Sequence, residues 1–555
     1  MQADAVRWDR PGPGTWLLDA SHSGPAPGPI VRRVLATTLE RGLAEGLGLF
    51  GAPLKGMEVR WVNGRLFRRL VPIVGGSKDG PPPPAPILWL ASRVHPAFRK
   101  QERLAKESFA VKRWRLELAR WESDWKPNLI ARNRALSDLD LSSFDDDALA
   151  RHIDDAHEHV LTTAQLHHRL HVSDMGPLGN LMVALRGWGL DPAQSFEALV
   201  AASPATRAPA IALRLLAQEL VDAGVGVTSV RTLDEVRAAS PRAASLLDDY
   251  LAHHGWRLTT GYDLEDSCLI ELPEVIVTSI RAAADGSSLD DPEARAEEAL
   301  AALRSSIPAE HLAEFEELVE DARLSYGLRD ENGPLTYEWP AGLLRRALLE
   351  AGRRLAASGA LLAGGEVFEL EIEEIDAMLR GGGEAGPGAD EIARRRDERA
   401  TWATLSPPER LGPEEGDPPF HLFPPNLAHI TDVVLTVVAS MEASAAHAPL
   451  TGTGVGTGTY RGTARVVHDV NEALGNLEPG DVLVAPYTAP TYNAVLAIAG
   501  ALVVEEGGLL CHAAVIAREF GIPAVVGARE AMQRIPDGAT VEVDPARGTV
   551  AVLDR

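Results

Sequence analysis

The sequence is short of cysteine, of positive charge and of long apolar runs, and each shortage excludes a class of protein. Its 555 residues include two cysteines, Cys268 and Cys511, which is too few for a disulfide framework and fits a reducing compartment. The net charge is −25. A surface this acidic repels a phosphate backbone, so we expect no nucleic-acid partner.

Membrane association is not expected either. The most apolar stretch, 493–504, is far shorter than the roughly 20 residues that span a bilayer, and the N-terminus lacks the basic-then-apolar pattern of a secretion signal. Apolar residues make up 45% and charged residues 24% of the chain, as in ordinary globular domains. The length predicts roughly two to four domains. We therefore expect a soluble, cytoplasmic, multidomain protein.

Hydrophobic periodicity predicts that residues 1–440 are mostly helical. Four apolar residues recur on one helix face with charges between them, namely Trp114, Leu118, Trp121 and Trp125. Further helices are expected over 145–172, 293–326 and 343–363. Proline and glycine predict irregular segments at 1–95 and 380–425, because consecutive prolines cannot join a helix.

The character of the chain changes after this region. Short β-branched runs bounded by turn residues predict strands over 481–488, 501–508, 522–528 and 540–553. A helix is expected between them over 513–520. Residues 460–555 are therefore predicted to form an α/β domain of about 100 residues. The Gly-, Ala- and Thr-rich residues 441–459 are predicted to be a flexible linker.

The most informative string is EEGGLLCHAAVIAREFGIPAVVG, residues 505–527. An apolar strand leads into Gly507 and Gly508, which permit a turn, and His512 then stands at the start of a helix. The unpaired N–H groups and the positive dipole of a helix start favour an anion, and a neutral imidazole there can attack phosphorus. By spacing alone, a histidine at a helix start is more often a cap or a packing residue.

Two neighbours of His512 have interpretations of their own. Arg518, further along the same helix, is placed to neutralise part of a phosphate charge. Cys511 has a rival interpretation as a nucleophile, since a thiol beside a helix N-terminus can have a lowered pKa. Its side chain is expected to point away from His512, which favours a packing role.

The string resembles the phosphohistidine signature of the phosphoenolpyruvate (PEP)-utilising enzyme family, which is carried on a swivelling domain. The glycine-rich segment 454–465, PGDVLVAPYTAP at 479–490 and DPARGTVAVL at 544–553 follow in the family's order. The resemblance implies that His512 is the phosphorylated residue. It also implies phosphate contacts from the residues around it: Gly507, Gly508, Ala513 and Arg518. Leu510 departs from the pattern, because relatives often carry a small hydroxyl residue there.

The helical part resembles the acceptor-binding domain of rifampicin phosphotransferase and similar proteins. The resemblance lies in segments 253–264, 324–332, 343–361 and 364–375, and implies a pocket between helices for a small hydroxyl-bearing acceptor. Candidate acceptor-site residues are His254, Arg257, Asp263 and Arg329. The alternative is structural: a buried Arg257–Asp263 ion pair and a helix-end role for Arg329. His22, in a Pro- and Gly-rich loop, is a candidate general base.

The resemblance also makes predictions about cofactors and partners. Only 18 residues precede Asp19 and the chain ends 28 residues after Gly527, so neither an ATP-grasp domain nor a pyruvate-binding barrel is expected. We expect no cofactor on this chain alone. ATP and Mg²⁺ are expected on a separate ATP-grasp subunit, a split arrangement similar to that of phenylphosphate synthase.

A histidine-rich helix invites a metal interpretation. Its histidines are His152, His157, His159, His167, His168 and His171. His167 and His171, four residues apart, share a face as two ligands would. Without an HExxH string or supporting cysteines, a polar helix face or a pocket wall is favoured, and no bound metal is expected.

The sequence thus predicts a large, mostly α-helical substrate-binding body followed by a small α/β (β/β/α) swivelling phosphohistidine domain. The expected function is a phosphotransferase component that carries a phosphoryl group on His512 from an ATP-grasp partner to an acceptor hydroxyl. Three alternatives stay open. They are a phosphohistidine relay without acceptor chemistry, activation of a hydroxyl for later elimination or carboxylation, and a degenerate swivelling domain that is never phosphorylated.

Overall fold

The computed structural model describes residues 7–19, 22, 24–75, 83–259, 262–284, 292–381, 385–414, 419–442, 450–468, 470–489, 492–496 and 498–554. The chain divides into two units. The first contains residues 1–173, 262–266 and 332–432, and the second contains residues 174–261, 267–331 and 433–555.

A four-stranded antiparallel sheet forms part of the first unit. Its strands are β1 (Trp16–Leu18), β2 (Leu54–Val62), β3 (Arg65–Pro72) and β4 (Arg410–Leu411), in the order β2-β3-β1-β4. Asn63 and Gly64 join β2 to β3 with φ of 47° and 71°, the left-handed conformations that a tight hairpin turn requires. Helix α1 (Pro29–Phe50) lies between β1 and β2 in the chain.

The prediction of an irregular segment at 1–95 is therefore wrong for most of its described residues. Proline and glycine stand there at the ends of regular elements rather than inside them. Pro29 is the first residue of α1, where its missing N–H costs nothing, and Gly51 ends α1 at φ 76°. The predicted irregular segment 380–425 likewise contains a helix of 15 residues, Ala389–Ala403.

The remaining helices of the first unit are α2 (Ala85–Val94), α3 (Pro96–Ala110), α4 (Arg113–Arg120), α5 (Lys126–Ser137), α6 (Asp146–Gly187, as far as residue 173), α14 (Trp339–Ala357), α15 (Ile372–Gly381) and α16 (Ala389–Ala403). Of these, α4, α6 and α14 overlap the predicted helices, whereas α2 and α16 lie in ranges predicted to be irregular. A π-helical turn, Trp121–Trp125, connects α4 to α5. Trp114 and Trp121 on the predicted stripe are buried.

The second unit combines a helical part with a sheet domain. Its helices are the C-terminal part of α6, α7 (Gln194–Ala198), α8 (Pro204–Asp222), α9 (Leu233–Ala239), α10 (Pro241–His254), α11 (Pro273–Ala284), α12 (Pro292–Ser306), α13 (Leu312–Gly333, as far as residue 331) and α17 (Pro425–Glu442, from residue 433). Buried residues of α6, α7 and α13, among them Leu181, Phe196 and Phe315, form one apolar cluster.

The sheet domain confirms the predicted α/β domain. Its strands are β5 (Thr453–Val455), β6 (Tyr460–Val466), β7 (Val482–Ala485), β8 (Ala501–Val504), β9 (Ala524–Val526), β10 (Thr540–Asp544) and β11 (Thr549–Asp554). Its helices are α18 (Val470–Asn476), α19 (Asn493–Leu496), α20 (His512–Phe520) and α21 (Ala531–Arg534). The strand order is β11-β10-β6-β7-β8-β9-β5, and the four strands from β6 to β9 run parallel.

Strand β5 lies within the range predicted as a linker. It pairs with β9, and the Gly452 N–H donates to the Gly548 carbonyl oxygen at 2.8 Å. The alternating glycines thus permit close backbone approach, and residues 453–455 are part of the sheet. Residues 443–449 of the predicted linker lie outside the described residues. Among the helices that the structure describes, none has the length and apolarity to cross a membrane.

The close approach at Gly454 is testable. A methyl group added there would lie 1.7 Å from the Pro545 carbonyl oxygen, so Gly454→Ala should lower the free energy of unfolding of this domain by about 3 kcal/mol, measured as a downward shift of its thermal transition. Gly475→Ala is the control, since a methyl group on this exposed α18 residue meets nothing within 4 Å. An unchanged transition in Gly454→Ala would restore the linker prediction.

Candidate functional site

The candidate site lies where two neighbouring parallel strands of the sheet domain end. β8 leads through Gly507 and Gly508 to Cys511, the N-cap residue, and to His512, the first residue of α20. Gly507 has φ 109°, and a Cβ atom there would lie 2.6 Å from the Cys511 side chain. Gly507 is therefore required by the turn itself, which sets the start of the helix.

Thr488 follows β7 and meets His512 at this edge. Its hydroxyl lies 2.9 Å from His512 Nδ1. His512 as a whole residue is partly exposed, and desolvation of the imidazole lowers the pKa of His512 to about 3. The ring is consequently neutral near pH 7, which is the form that attacks phosphorus. The helix start supplies backbone N–H groups and a positive dipole end, which stabilise negative charge.

Cys511 is poorly suited to be the nucleophile. Burial raises the pKa of its thiol, although the N–H groups of Ala514 and Ala513 and the charges of Arg518 and Arg329 act in the opposite direction. A buried thiol with a raised pKa stays protonated and unreactive. The packing interpretation of Cys511 is favoured.

Two arginines hold the loop that precedes His512. Arg518 Nη1 donates to the Leu509 carbonyl oxygen at 2.7 Å, and its guanidinium carbon lies 4.7 Å from the centre of the Phe196 ring. Arg329, on α13, donates to the Leu510 carbonyl oxygen. The structure thus brings Arg329, a predicted acceptor-site residue, to the loop that precedes His512. The phosphate contacts predicted for Arg518, Gly508 and Ala513 stay predictions.

Leu510, where the sequence departs from the family pattern, has a packing role. It is 1% exposed and belongs to the same apolar cluster as Leu178 and Phe315 of the helical part of this unit. At the other end of α20, Arg295 donates to the carbonyl oxygens of Arg518 and Glu519 at 2.7 and 3.0 Å. The sheet domain is therefore held against helices of its own unit at both ends of α20.

His22, the predicted base, lies in the first unit beside a buried carboxylate. Its Nδ1 is 2.9 Å from Asp19 Oδ2, and Asp19 is in turn 3.3 Å from Arg68 Nε. Because a carboxylate can only accept, the proton of the neutral ring is on Nδ1 and the lone pair on Nε2. The His22 ring centre lies 5.7 Å from that of His168. This pairing has the geometry of an oriented base.

The other predicted acceptor-site residues are divided between the units. His254 and Arg257 belong to the second unit and Asp263 to the first. The His254 ring packs 4.9 Å from the Tyr250 ring, and burial lowers the pKa of His254 well below its usual value. Burial raises the pKa of Asp263 to about 6. A shared acceptor site for these three residues stays a prediction.

Thr488 is the site residue that sequence reasoning missed. A signal for it exists, because it is the last residue of the strand predicted over 481–488, which neighbours the strand leading to His512. The carboxyl ends of adjacent parallel strands meet at one edge of a sheet, where ligands usually bind. Strand adjacency, however, is a property of the fold and is not visible in the local string.

Comparison with known proteins identifies the sheet domain. Residues 477–548 match the family model described as "PEP-utilising enzyme, mobile domain". Over these residues the sheet domain is therefore similar to the mobile domain of PEP-utilising enzymes. The match includes Thr488 and His512, so both residues of the candidate site lie within it.

Relatives extend this similarity beyond the mobile domain. An uncharacterized protein of Mycobacterium tuberculosis is 38% identical over 213 residues, 38% of this chain and 22% of the relative. Rifampicin phosphotransferase of Streptomyces sviceus is 29% identical over 357 residues, 60% of this chain and 37% of the relative. Phosphoenolpyruvate synthase of Escherichia coli is 45% identical over 97 residues, 18% and 12% of the two chains. The matches thus span well under half the length of these relatives.

The neutral state of His512 is testable by NMR of the histidine-labelled chain. With a pKa of about 3, its ring nitrogen signals should stay those of a neutral imidazole from about pH 8 down to about pH 5, whereas the unfolded chain should titrate near 6.5. The His512→Ala variant assigns the signals. A folded-state midpoint near 6.5 would contradict the buried, neutral imidazole.

Proposed function

We propose that this chain acts as a phosphotransferase in which His512 accepts a phosphoryl group and passes it to a hydroxyl of a small organic acceptor. The observation that carries the proposal is the neutral His512 imidazole at the start of α20, held by Thr488 within a matched mobile domain. Relatives that are named as phosphotransferases support it.

In the loading step, His512 Nε2 attacks a phosphorus atom of ATP. Thr488 holds Nδ1, and we therefore assign the attack to the other ring nitrogen. We assign the attack to the β-phosphorus: the N–P bond forms, the bond from this phosphorus to the oxygen bridging to the α-phosphate breaks, AMP leaves, and water releases the γ-phosphate as inorganic phosphate. The backbone N–H groups at the start of α20 stabilise the charge on the transferred group. We propose that an ATP-grasp subunit binds the ATP and Mg²⁺ and presents the phosphoryl group.

In the transfer step, an acceptor hydroxyl attacks phosphohistidine. The O–P bond forms, the N–P bond breaks, and the hydroxyl proton passes to a base. We propose His22 for this base, because Asp19 orients its ring through Nδ1 and stabilises the imidazolium that results. The mobile domain has to break its contacts with Arg329 and with the apolar cluster around Leu510 before His512 can move between the ATP and the acceptor.

Loading is tested with ATP labelled at the β-phosphate and a candidate ATP-grasp protein, each added alone and together. Acid-labile, base-stable label should require both, and His512→Ala should abolish it. Thr488→Val should slow loading about tenfold, because one hydrogen bond contributes about 1–1.5 kcal/mol. His468→Ala, in the same domain and exposed, is the matched control and should load normally. Label that persists in His512→Ala would overturn the proposal.

Transfer is tested separately, on protein already labelled at His512. The acceptor panel consists of hydroxyl-bearing compounds and begins with rifampicin, after the named relative. His22→Asn should load normally but transfer roughly 10²- to 10⁴-fold more slowly. His159→Asn is the control, since this histidine of α6 contacts Asn133 instead. Loading without any phosphate ester across the panel would favour a phosphohistidine relay, and equal loss in both steps would exclude the base role of His22.

A further inference from the structure

Three histidines of the first unit converge on one point. His168 and His171 lie three residues apart on α6, and therefore on one helix face, and His22 comes from the loop after β1. One ring nitrogen from each lies within 4.8 Å of those of the other two. The ring centres of His168 and His171 are 5.6 Å apart. Three imidazoles in this arrangement form an incomplete coordination shell.

His168 supplies an independent indication of a ligand. Its side chain is fully buried, with 0% exposure, and neither of its ring nitrogens has a hydrogen-bond partner among the described residues. An unsatisfied buried polar group costs about 1–3 kcal/mol, and such groups in a native fold call for an explanation. Burial also lowers the pKa of His168 well below its usual value, which keeps the ring in the neutral form that binds metals.

The surroundings of His22 fit the same interpretation. Histidines that bind metals commonly donate their second ring N–H to a carboxylate, which fixes the tautomer and strengthens the ligand. Asp19 accepts from His22 Nδ1 at 2.9 Å, which puts the lone pair of the neutral His22 ring on Nε2. The nearby Arg68 balances the charge of the buried Asp19 at 3.3 Å.

His167 is adjacent to the cluster but differs in its contacts. Its Nε2 lies 3.2 Å from the Tyr262 hydroxyl and its Nδ1 lies 3.2 Å from the Thr336 hydroxyl. Both nitrogens are therefore engaged within the protein. The pair His167 and His171, which the sequence singled out as possible ligands, is not the pair that the structure offers.

We propose that His22, His168 and His171 bind one divalent transition-metal ion, of which Zn²⁺ is the best fit to three imidazole ligands. Three protein ligands with a fourth position left for a water or substrate oxygen are the arrangement of catalytic zinc sites. This proposal replaces the expectation, drawn from the sequence, of no bound metal. It requires no nucleotide, no phosphoryl group and no acceptor.

The use of the site, unlike the binding itself, rests on the proposed function. A fourth ligand position would take the acceptor hydroxyl and lower its pKa, which favours attack on phosphohistidine. In the metal-bound chain His22 Nε2 is a ligand and the proton of the metal-bound hydroxyl passes to solvent water. The base role of His22 proposed above then applies to the metal-free chain.

The test is metal binding by the full chain, with any affinity tag removed and after chelator treatment. Calorimetric titration with Zn²⁺ should give one ion per chain, and Co²⁺ should give the visible absorption of a tetrahedral site. His168→Gln and His171→Gln should each weaken binding at least tenfold, and Asp19→Asn about 10- to 100-fold. His159→Gln and the double variant Cys511→Ser, His512→Ala should bind as the parent chain does.

Several outcomes would overturn the proposal: no binding, binding unchanged in the ligand variants, or binding lost in the Cys511, His512 double variant. Circular dichroism melts establish that each variant folds. His171 is only partly buried, so His171→Gln keeps the test decisive where His168→Gln does not fold. Since His512 labelling is measured without Zn²⁺ titration, failure of the metal site and failure of the proposed function give different results.

Discussion

The parallel pairing of β7 with β8 is the constraint on which the candidate site depends. Both strands are fully buried, and their register places Leu483 opposite Leu502. Parallel strands end at the same edge of a sheet, so the loop after β7 and the helix after β8 must meet there. Thr488 is brought against His512 for this reason alone. A one-residue slip in register would turn every side chain of β8 to the other face and separate the two residues.

The contacts of the loop before His512 stabilise the arrangement in which the sheet domain packs against the helices of its own unit. Burial of Leu510 in the apolar cluster is worth about 2 kcal/mol, and the hydrogen bond from Arg329 to the Leu510 carbonyl oxygen adds about 1.5–3 kcal/mol. The sum is several kcal/mol, the size of differences that ligands can reverse. A family member with a small hydroxyl residue at this position would lose the Leu510 contribution. Leucine in place of a small hydroxyl residue at position 510 therefore strengthens the packing of the sheet domain against the helices of its unit.

Sequence reasoning located those features whose signal is local. The buried strands β7 to β9, the helix starting near His512 and the long helix α6 each have a continuous pattern of their own. It failed at the sheet of the first unit, because proline and glycine indicate breaks but not whether strands lie between the breaks. Thr488 and the cluster at His168 were not found, because one depends on strand adjacency and the other on which buried nitrogens have partners. Both are properties of the folded chain.

Burial lowers the pKa of both His512 and His168, yet the two residues are suited to different chemistry. A nucleophile must be reached in line by a phosphorus atom from outside, and His512 is a partly exposed residue with one ring nitrogen held by Thr488. His168 is wholly enclosed, so the phosphorus atom of a substrate cannot approach its ring. A nitrogen lone pair in that position can bind only a species small enough to enter the protein interior, and a metal ion meets this condition. The degree of exposure thus distinguishes a histidine that could carry a phosphoryl group, His512, from one that could bind a metal ion, His168.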